Sequence, residues 1–349
     1  MQVRHLEISP PLLLAPMAGL THSALRTLLL SYGGVGLLST EMLSARSLPV
    51  ESEQASPFLV RTAGERPLSY QLLLTAEEEV EPAVEALHRF GADAVDLNLG
   101  CPAPRVRRAG GGSALMDEPG RVRNLIRRVR RATSLPLSAK IRLGEALDED
   151  RLTGFCRMLQ DEGIDLLTVH ARLRGESFSR KPRWPWVARV KAALAIPVVA
   201  NGGIFSVDDA RRCLEQSGAD GLMIGRAAAR APWLFARVAR EVYGVDIPEP
   251  CVCPPLAFAR FVTALQERFR PERRLGRLKE FTHYLAANYP FGHHLATAVQ
   301  KARSVEDAWT AAMAFFRRCD QEGLARLEQE AGGIDLPAPR YPPLSQQGA

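Results

Sequence analysis

Short apolar segments alternate with longer amphipathic stretches over the first two thirds of the chain. The apolar segments have the length of buried strands, and the stretches between them have the three-to-four-residue periodicity of helices. Strands that alternate with helices in this way are typical of parallel α/β folds. Eight strands are predicted, at residues 12–15, 36–40, 68–73, 94–99, 137–142, 166–170, 197–201 and 221–224.

Three of the predicted strands follow near-identical phrases, Gly91-Ala92-Asp93, Gly163-Ile164-Asp165 and Gly218-Ala219-Asp220. In each phrase the glycine is expected to end a helix in the left-handed conformation before the chain enters the next strand. Repetition of one βα unit predicts a (β/α)₈ TIM barrel. A doubly wound sheet is the alternative, but the chain lacks the G-x-G-x-x-G opening that such a sheet commonly carries.

The barrel pattern ends near Tyr243, which places a first domain at residues 1–246. A segment rich in proline and cysteine, 247–255, is expected to be a linker. Helical periodicity then predicts a small helical bundle over 256–333. The proline-rich remainder, 334–349, is expected to be a loose tail.

Composition is that of a soluble globular protein, with 46% hydrophobic and 24% charged residues. No apolar run approaches the roughly 20 residues of a membrane span, and the first residues do not resemble a signal peptide. We therefore expect a cytoplasmic protein without a membrane partner, and a monomer by default. The six cysteines show no pairing framework. A metal site at Cys251-Val252-Cys253 is a weaker interpretation than a linker.

Basic residues are clustered within a net charge of +6. Segment 105–131 contains nine arginines against two acidic residues, 172–191 contains seven basic residues against one, and 260–303 contains nine against three. Each cluster alone is explained by a solvated helix face. Three such clusters in one chain favour a polyanionic partner, and nucleic acid in particular.

Functional side chains of a (β/α)₈ barrel lie at the carboxyl ends of its strands. In this chain the polar, sulfur-containing and glycine residues collect at those positions. They are Pro16, Met17, Ala18, Glu41, Gln71, Asn98, Cys101, Lys140, Arg142, His170, Asn201, Gly202, Gly203, Gly225 and Arg226. The last four follow strands seven and eight, where this fold commonly binds phosphate through backbone N–H groups and a cation.

Several of these residues also have simpler interpretations. A lone cysteine such as Cys101 is most often a small buried apolar residue. Lys140 could pair with a carboxylate, and His170 could be a hydrogen-bonded core histidine. Their occurrence together at matching strand ends favours a shared chemical site over packing.

Six motifs resemble the signature motifs of the tRNA-dihydrouridine synthases. The most specific is Asn98-Leu99-Gly100-Cys101-Pro102, and the resemblance covers about residues 13–234. The others are Pro16-Met17-Ala18-Gly19, Lys140-Ile141-Arg142, Val169-His170-Ala171-Arg172, Asn201-Gly202-Gly203 and Ile224-Gly225-Arg226. The basic helical region resembles the tRNA-binding domain of that family, and segment 110–115 resembles its bacterial C subgroup, which modifies position 16.

The resemblance implies an enzyme that uses FMN, with NADPH as electron donor, to reduce the C5–C6 double bond of a uridine in tRNA. A hydride would pass from flavin N5 to uracil C6. The residues implied to bind FMN are Pro16, Met17, Ala18, Gln71, Lys140, His170, Asn201, Gly202, Gly203, Gly225 and Arg226.

The resemblance also assigns roles toward the RNA. Cys101 would donate the proton to C5, since a thiol is mostly protonated at neutral pH. Asn98 and Arg142 would contact the uracil carbonyls, and Phe178 would stack on the extruded base, although a packing role for Phe178 is equally favoured. Segment 105–112, which begins at Arg105, would close as a lid. In the helical region, the residues predicted to contact tRNA are Arg273, Arg274 and Arg277.

Two alternatives remain open at this point. The first is an FMN barrel that acts on a free pyrimidine, which would not need basic clusters or an appended helical domain. The second is a non-catalytic RNA-binding protein on the same scaffold, which would not need Cys101, Lys140 and Asn98 together. The motifs Asn201-Gly202-Gly203 and His170-Ala171-Arg172 depart slightly from the commonest family forms.

Overall fold

The computed structural model describes residues 1–52 and 56–330. The expected tail at 334–349, and the last residues of the predicted helical region, lie outside the described residues. The chain begins with a short antiparallel hairpin of β1 (Gln2–Val3) and β2 (Leu6–Glu7). Sequence periodicity did not predict this hairpin, because strands of two residues are too short to show any period.

Eight parallel strands follow and form the predicted barrel. They are β3 (Leu12–Leu14), β4 (Leu38–Ser44), β5 (Leu68–Leu73), β6 (Ala94–Asn98), β7 (Leu137–Arg142), β8 (Leu166–His170), β9 (Val198–Asn201) and β10 (Gly221–Ile224). Each strand from β4 to β10 pairs with its predecessor or successor in the chain, and β10 pairs with β3. A parallel bridge between Leu13 and Leu37 brings β3 to the start of β4. The (β/α)₈ prediction is confirmed.

The inside of the barrel is filled with apolar side chains. Leu13, Leu166, Val199 and Met223 form one buried cluster with the hairpin residue Val3. The hairpin therefore covers the amino-terminal end of the barrel, and the carboxyl end is left for chemistry.

Nine helices belong to the barrel part of the described chain. They are α1 (Ser23–Tyr32), α2 (Val80–Arg89), α3 (Pro104–Arg108), α4 (Pro119–Ala132), α5 (Glu149–Asp161), α6 (Trp184–Ala193), α7 (Val207–Ser217), α8 (Ala227–Arg230) and α9 (Leu234–Tyr243). Local sequence fixes several ends, as at α7, where the Ser206 side chain caps the first turn and Gly218 is left-handed at φ 57°. The other two repeat glycines, Gly91 and Gly163, also have positive φ.

Five further helices follow Tyr243. They are α10 (Pro254–Arg268), α11 (Arg274–Leu285), α12 (Gly292–Lys301), α13 (Val305–Cys319) and α14 (Gln321–Glu330). Aromatic side chains hold them together, including Phe261 and Phe281, which stack with ring centroids 3.9 Å apart. Helix α10 packs on α1, and α11 packs on α8, so the bundle lies beside the carboxyl end of the barrel. No helix in the described part of the chain is both long and apolar enough to cross a membrane.

A buried ion pair secures the start of α1. Arg26 and Glu65 are almost fully buried, and Arg26 Nε lies 2.5 Å from Glu65 Oε2. Arg26 also donates to the carbonyls of Thr21 and Val60, and Glu65 accepts from Ser23. Because every charged atom has a partner, the pair is retained inside the protein.

Candidate functional site

A cleft of about 970 Å³, continuous with solvent, opens at the carboxyl end of the barrel. It brings together fifteen residues that the sequence predicted. These are Pro16, Met17, Ala18, Gln71, Asn98, Cys101, Lys140, Arg142, His170, Phe178, Asn201, Gly202, Gly203, Gly225 and Arg226. The predicted RNA-contact residues Arg105, Arg273, Arg274 and Arg277, and the strand-end candidate Glu41, lie outside the cleft lining.

The loop after β3 forms one wall and is held from below. Glu41 on β4 accepts the Gly19 N–H at 2.6 Å, beneath the loop. Burial raises the pKa of Glu41, and the Gly19 hydrogen bond opposes that rise. The Met17 N–H donates to Thr21 Oγ1, and the Met17 carbonyl accepts from the backbone of Leu20. These bonds fix Met17 in the apolar wall.

Cys101 is presented on a turn that Asn98 organises. The Oδ1 atom of Asn98 accepts the N–H of Cys101 at 2.9 Å and that of Gly100 at 3.2 Å. Its Nδ2 donates to Gln71 Oε1 at 2.8 Å. The side-chain oxygen of Asn98 thus accepts from the backbone of the turn. Asn98 therefore orients the segment that carries the half-buried thiol.

A carboxylate that sequence reasoning missed lies under the floor of the cleft. Asp96 accepts from Gln71 Nε2 and from Ser138 Oγ, each at 2.6 Å. Burial raises its pKa, whereas Ser138, Gln71 and the charge of Lys140 lower it. For Lys140, burial lowers the pKa to about 8, and the charge of Asp96 opposes this. Asp96 stands within an apolar run, which is why the run was interpreted only as a buried strand.

Four cationic side chains surround His170. Burial, followed by the charges of Lys140, Arg142, Arg172 and Arg226, holds the pKa of His170 well below its usual range. The His170 Nε2 atom lies 3.1 Å from a terminal nitrogen of Arg172. Within the described ranges, none of the four cations forms an ion pair with a carboxylate. A buried excess of positive charge of this kind suits an anionic group such as a phosphate.

Glycine is required where the chain passes this cationic cluster. Gly202 has φ +105°, and a Cβ atom there would lie 2.5 Å from His170 Cδ2 and 2.9 Å from an Arg172 nitrogen. Gly203 has φ +77°, and a Cβ atom there would lie 2.6 Å from Pro182. The two glycines therefore allow the backbone to pass close beside the cationic cluster, with no side chain in between. Asn201 has a supporting role, because its Nδ2 donates to the Met223 carbonyl on β10.

Two phenylalanines flank Arg226 at the rim. The Arg226 guanidinium lies 4.2 Å from the ring centroid of Phe178 and 5.6 Å from that of Phe205. Phe178 also stacks on His170 at 6.0 Å and is 51% exposed. Phe205, which the sequence analysis missed, is 38% exposed and lies two residues after the predicted phosphate motif. Its position close to that motif was the available signal.

The segment predicted as a lid is docked beside Cys101. Helix α3 exposes Arg105 and buries Val106. The Ser113 N–H donates to the Cys101 carbonyl at 3.0 Å, and a Cβ atom on Gly112 would lie 2.7 Å from that carbonyl oxygen. In this structure the glycine therefore allows close packing, and the arginines face solvent.

The three predicted arginines of the helical region have different environments. Arg273 is exposed. Arg274 donates to the carbonyls of Phe269 and Gln266, and so terminates the preceding helix. Arg277 lies 4.5 Å from the Phe269 ring centroid and is half-buried. Arg274 and Arg277 thus have structural contacts that charge patterning could not reveal.

The family model and the curated proteins similar to this chain point to the same family. Residues 13–321 match the dihydrouridine synthase (Dus) family. A probable tRNA-dihydrouridine synthase 1 from Synechocystis is 32% identical over 314 residues, which is 88% of this chain and 86% of that protein. A tRNA-dihydrouridine(16) synthase from Pseudomonas putida is 35% identical over 79% of this chain and 88% of its own length. A tRNA-dihydrouridine synthase B from Xanthomonas axonopodis is 36% identical over 74% and 77%, respectively.

A solved structure supports the fold alone. A 2-naphthoyl-CoA reductase in complex with 2-naphthoyl-CoA superimposes with a TM-score of 0.54 at 12% identity. The alignment covers 75% of this chain and 55% of the reductase.

Proposed function

The chain belongs to the dihydrouridine synthase family, and from that premise we propose that it reduces the C5–C6 double bond of a uridine in tRNA with electrons from NADPH. The family is flavin-dependent. The observation that carries the proposal is the combination of an open cleft, a cationic cluster and a half-buried thiol at one end of the barrel.

The residues present fit FMN. The anionic phosphate matches the cluster of His170, Arg172 and Arg226, beside the bare backbone of Gly202. Neither arginine forms an ion pair with a carboxylate of the described residues, and Glu176, whose charge acts on Arg172, is paired with Arg183. Lys140 and Gln71 line the part of the cleft where the ring system would lie, with Met17 in its wall. Bound FMN would supply the hydride that is added to uracil C6.

Cys101 would supply the proton. Reduction of the double bond adds a hydride at C6 and a proton at C5, and the resulting thiolate is reprotonated from solvent. Arg142 is held in place by donating to the Leu173 carbonyl at 2.9 Å, and its charge favours electron density on a uracil oxygen. Phe178 offers an exposed ring over which an extruded base can stack. Asn98 keeps the Cys101 turn in place, because its Oδ1 accepts the Cys101 N–H and its Nδ2 donates to Gln71 Oε1.

The RNA would lie across the rim and the adjacent helices. Arg105, Arg107 and Arg108 on α3 are exposed beside the Cys101 turn, and Arg273 is exposed on the helical region. These positions suit contacts with phosphates, which strengthen binding by counter-ion release. We accordingly propose 1–246 as the catalytic domain, 247–255 as a linker and 256–333 as the tRNA-binding domain.

Finer assignments follow from the same premise. We propose position 16 as the target, in line with relatives that carry that name. We also propose a monomer that acts in the cytoplasm.

The test uses the purified protein loaded with FMN and incubated with NADPH and either unmodified tRNA or free uracil. Two added hydrogens on one uridine, detected by mass spectrometry of tRNA digests, are expected only with tRNA. NADPH oxidation with a free pyrimidine alone would support the small-substrate alternative. RNA binding without turnover would support a non-catalytic role, and mapping of the modified base decides the position.

A further inference from the structure

An unbroken chain of hydrogen bonds connects a carboxylate beneath the cleft to the turn that carries the thiol. Ser138 Oγ and Gln71 Nε2 both donate to Asp96, each at 2.6 Å. Asn98 Nδ2 donates to Gln71 Oε1 at 2.8 Å, and the Cys101 N–H donates to Asn98 Oδ1 at 2.9 Å. This series of hydrogen bonds therefore starts at Asp96 and ends on the backbone N–H of Cys101.

Asp96 fixes the direction of this chain. An ionised carboxylate can only accept hydrogen bonds. Gln71 must therefore turn its NH₂ group toward Asp96 and its oxygen toward Asn98. Asn98 must in turn offer its NH₂ group to Gln71 and its oxygen to Cys101. Reversing one amide alone would place two donors or two acceptors against each other.

Burial enforces this direction of the hydrogen bonds. Gln71 is 1% exposed and Asp96 is 5% exposed. Water cannot easily compensate for a mismatched pair at such positions, and an unpaired buried polar group is costly. Burial raises the pKa of Asp96, whereas the hydrogen bonds from Ser138 and Gln71 and the charge of Lys140 oppose that rise and favour the ionised carboxyl. A single orientation of both amides is thus selected in the floor of the cleft.

We propose that Asp96 is a positioning residue for the proton donor: through Gln71 and Asn98 it holds the Cys101 turn in the orientation that the reaction needs. This inference rests on the proposed function of Cys101. Asp96 itself does not line the cleft and need not touch substrate or cofactor.

The direction of the chain suggests a test by reversal. In Asp96→Asn, the new amide can turn its NH₂ group to the Ser138 hydroxyl, which can also accept, and the original direction survives. In Asn98→Asp, the new carboxylate faces Gln71 Oε1, and two acceptors oppose each other. In the double variant, Asn at 96 can donate to Gln71 Oε1, and Gln71 can donate to Asp at 98. Every partner is then satisfied in the reverse direction, and the number of carboxylates is unchanged.

Three quantities are measured in the wild type and the three variants: the single-turnover rate of tRNA reduction at saturating tRNA, the steady-state KM for tRNA, and the alkylation rate of the Cys101 peptide by iodoacetamide. Asn98→Asp should slow reduction by about a hundredfold, as expected for a misplaced reacting group, with the KM for tRNA changed by less than about threefold. The double variant should recover at least about tenfold over Asn98→Asp, and its alkylation rate should return toward that of the wild type, since coupled residues are not additive. Ser69→Ala is the matched control, because the buried Ser69 hydroxyl has no hydrogen-bond partner among the described residues.

Recovery in the double variant supports the proposal. If the losses of the two single variants multiply instead, Asp96 does not act through the amide chain and the proposal is wrong. Both substitutions, Asp96→Asn and Asn98→Asp, are nearly isosteric, and retained FMN absorbance shows that each variant is folded. A wild-type protein that makes no dihydrouridine would refute the proposed function separately, while the alkylation rates would still decide whether Asp96 positions Cys101.

Discussion

Replacement of Gly202 by alanine tests the phosphate end of the cleft. Gly202 has φ +105°, which side chains of L-residues rarely adopt, and such strain costs on the order of 1–3 kcal/mol. The added Cβ atom would lie 2.5 Å from His170 Cδ2, 2.8 Å from His170 Nε2 and 2.9 Å from an Arg172 nitrogen. Restoring ordinary contact requires a displacement of roughly 1 Å. This is about twice the width of the interval, about 2.7–3.2 Å, over which N–H···O hydrogen bonds form.

Loss of one charge-assisted hydrogen bond to the phosphate costs roughly 1.5–3 kcal/mol. This corresponds to a weakening of FMN binding by about tenfold to about a hundredfold. The assay is titration of flavin-free protein with FMN, followed by flavin fluorescence, with thermal unfolding measured in parallel. Gly276→Ala is the matched control, because a Cβ atom at Gly276 would meet nothing within 4 Å. Unchanged FMN affinity in Gly202→Ala would refute the assignment of this glycine to the phosphate site.

Three further changes follow from the same structure. Arg26→Met leaves Glu65 charged and buried, and should lower the free energy of unfolding by about 3–5 kcal/mol in urea denaturation; a loss below about 1 kcal/mol would contradict this. Phe205→Ala should raise the KM for tRNA by roughly tenfold, since stacking on an aromatic ring contributes about 1–3 kcal/mol per base, with FMN affinity unchanged; an unaltered KM would remove Phe205 from the RNA surface. Because burial lowers the pKa of Lys140 to about 8, its positive charge is lost as pH rises through that value. FMN affinity of the flavin-free protein should then fall above about pH 8, and Lys140→Met should abolish that dependence; a flat profile in the wild type would be inconsistent with it.

The parts of the fold that sequence could predict are those with a periodic signal. Strands such as Leu137–Arg142 and Leu166–His170 lie where their apolar runs predicted them. The second barrel strand begins and ends later than predicted, at Leu38–Ser44, because polar residues including Glu41 are buried in it. The two-residue strands of the hairpin leave no period to detect.

The gathering of site residues at the strand ends was also predictable, because parallel strands in a barrel place them at one end. Their hydrogen-bond partners were not. Asp96 looks like part of an apolar run, and its partners Gln71 and Ser138 lie 25 and 42 positions away in the chain. Arg274 carries the same charge as Arg273, yet only the structure shows that it caps a helix. Such roles depend on tertiary contacts that charge and periodicity do not encode.

Single-turnover reduction of tRNA by Cys101→Ala tests the central claim most directly. The variant is reduced with NADPH in the absence of oxygen and mixed with unmodified tRNA, and flavin reoxidation and dihydrouridine are followed together. We expect FMN content and flavin reduction to equal those of the wild type, because the thiol lies on the proton-donating side of the reaction only. Dihydrouridine formation should be nearly abolished. Reduction of the tRNA uridine at the wild-type rate would contradict the role of Cys101 as the proton donor.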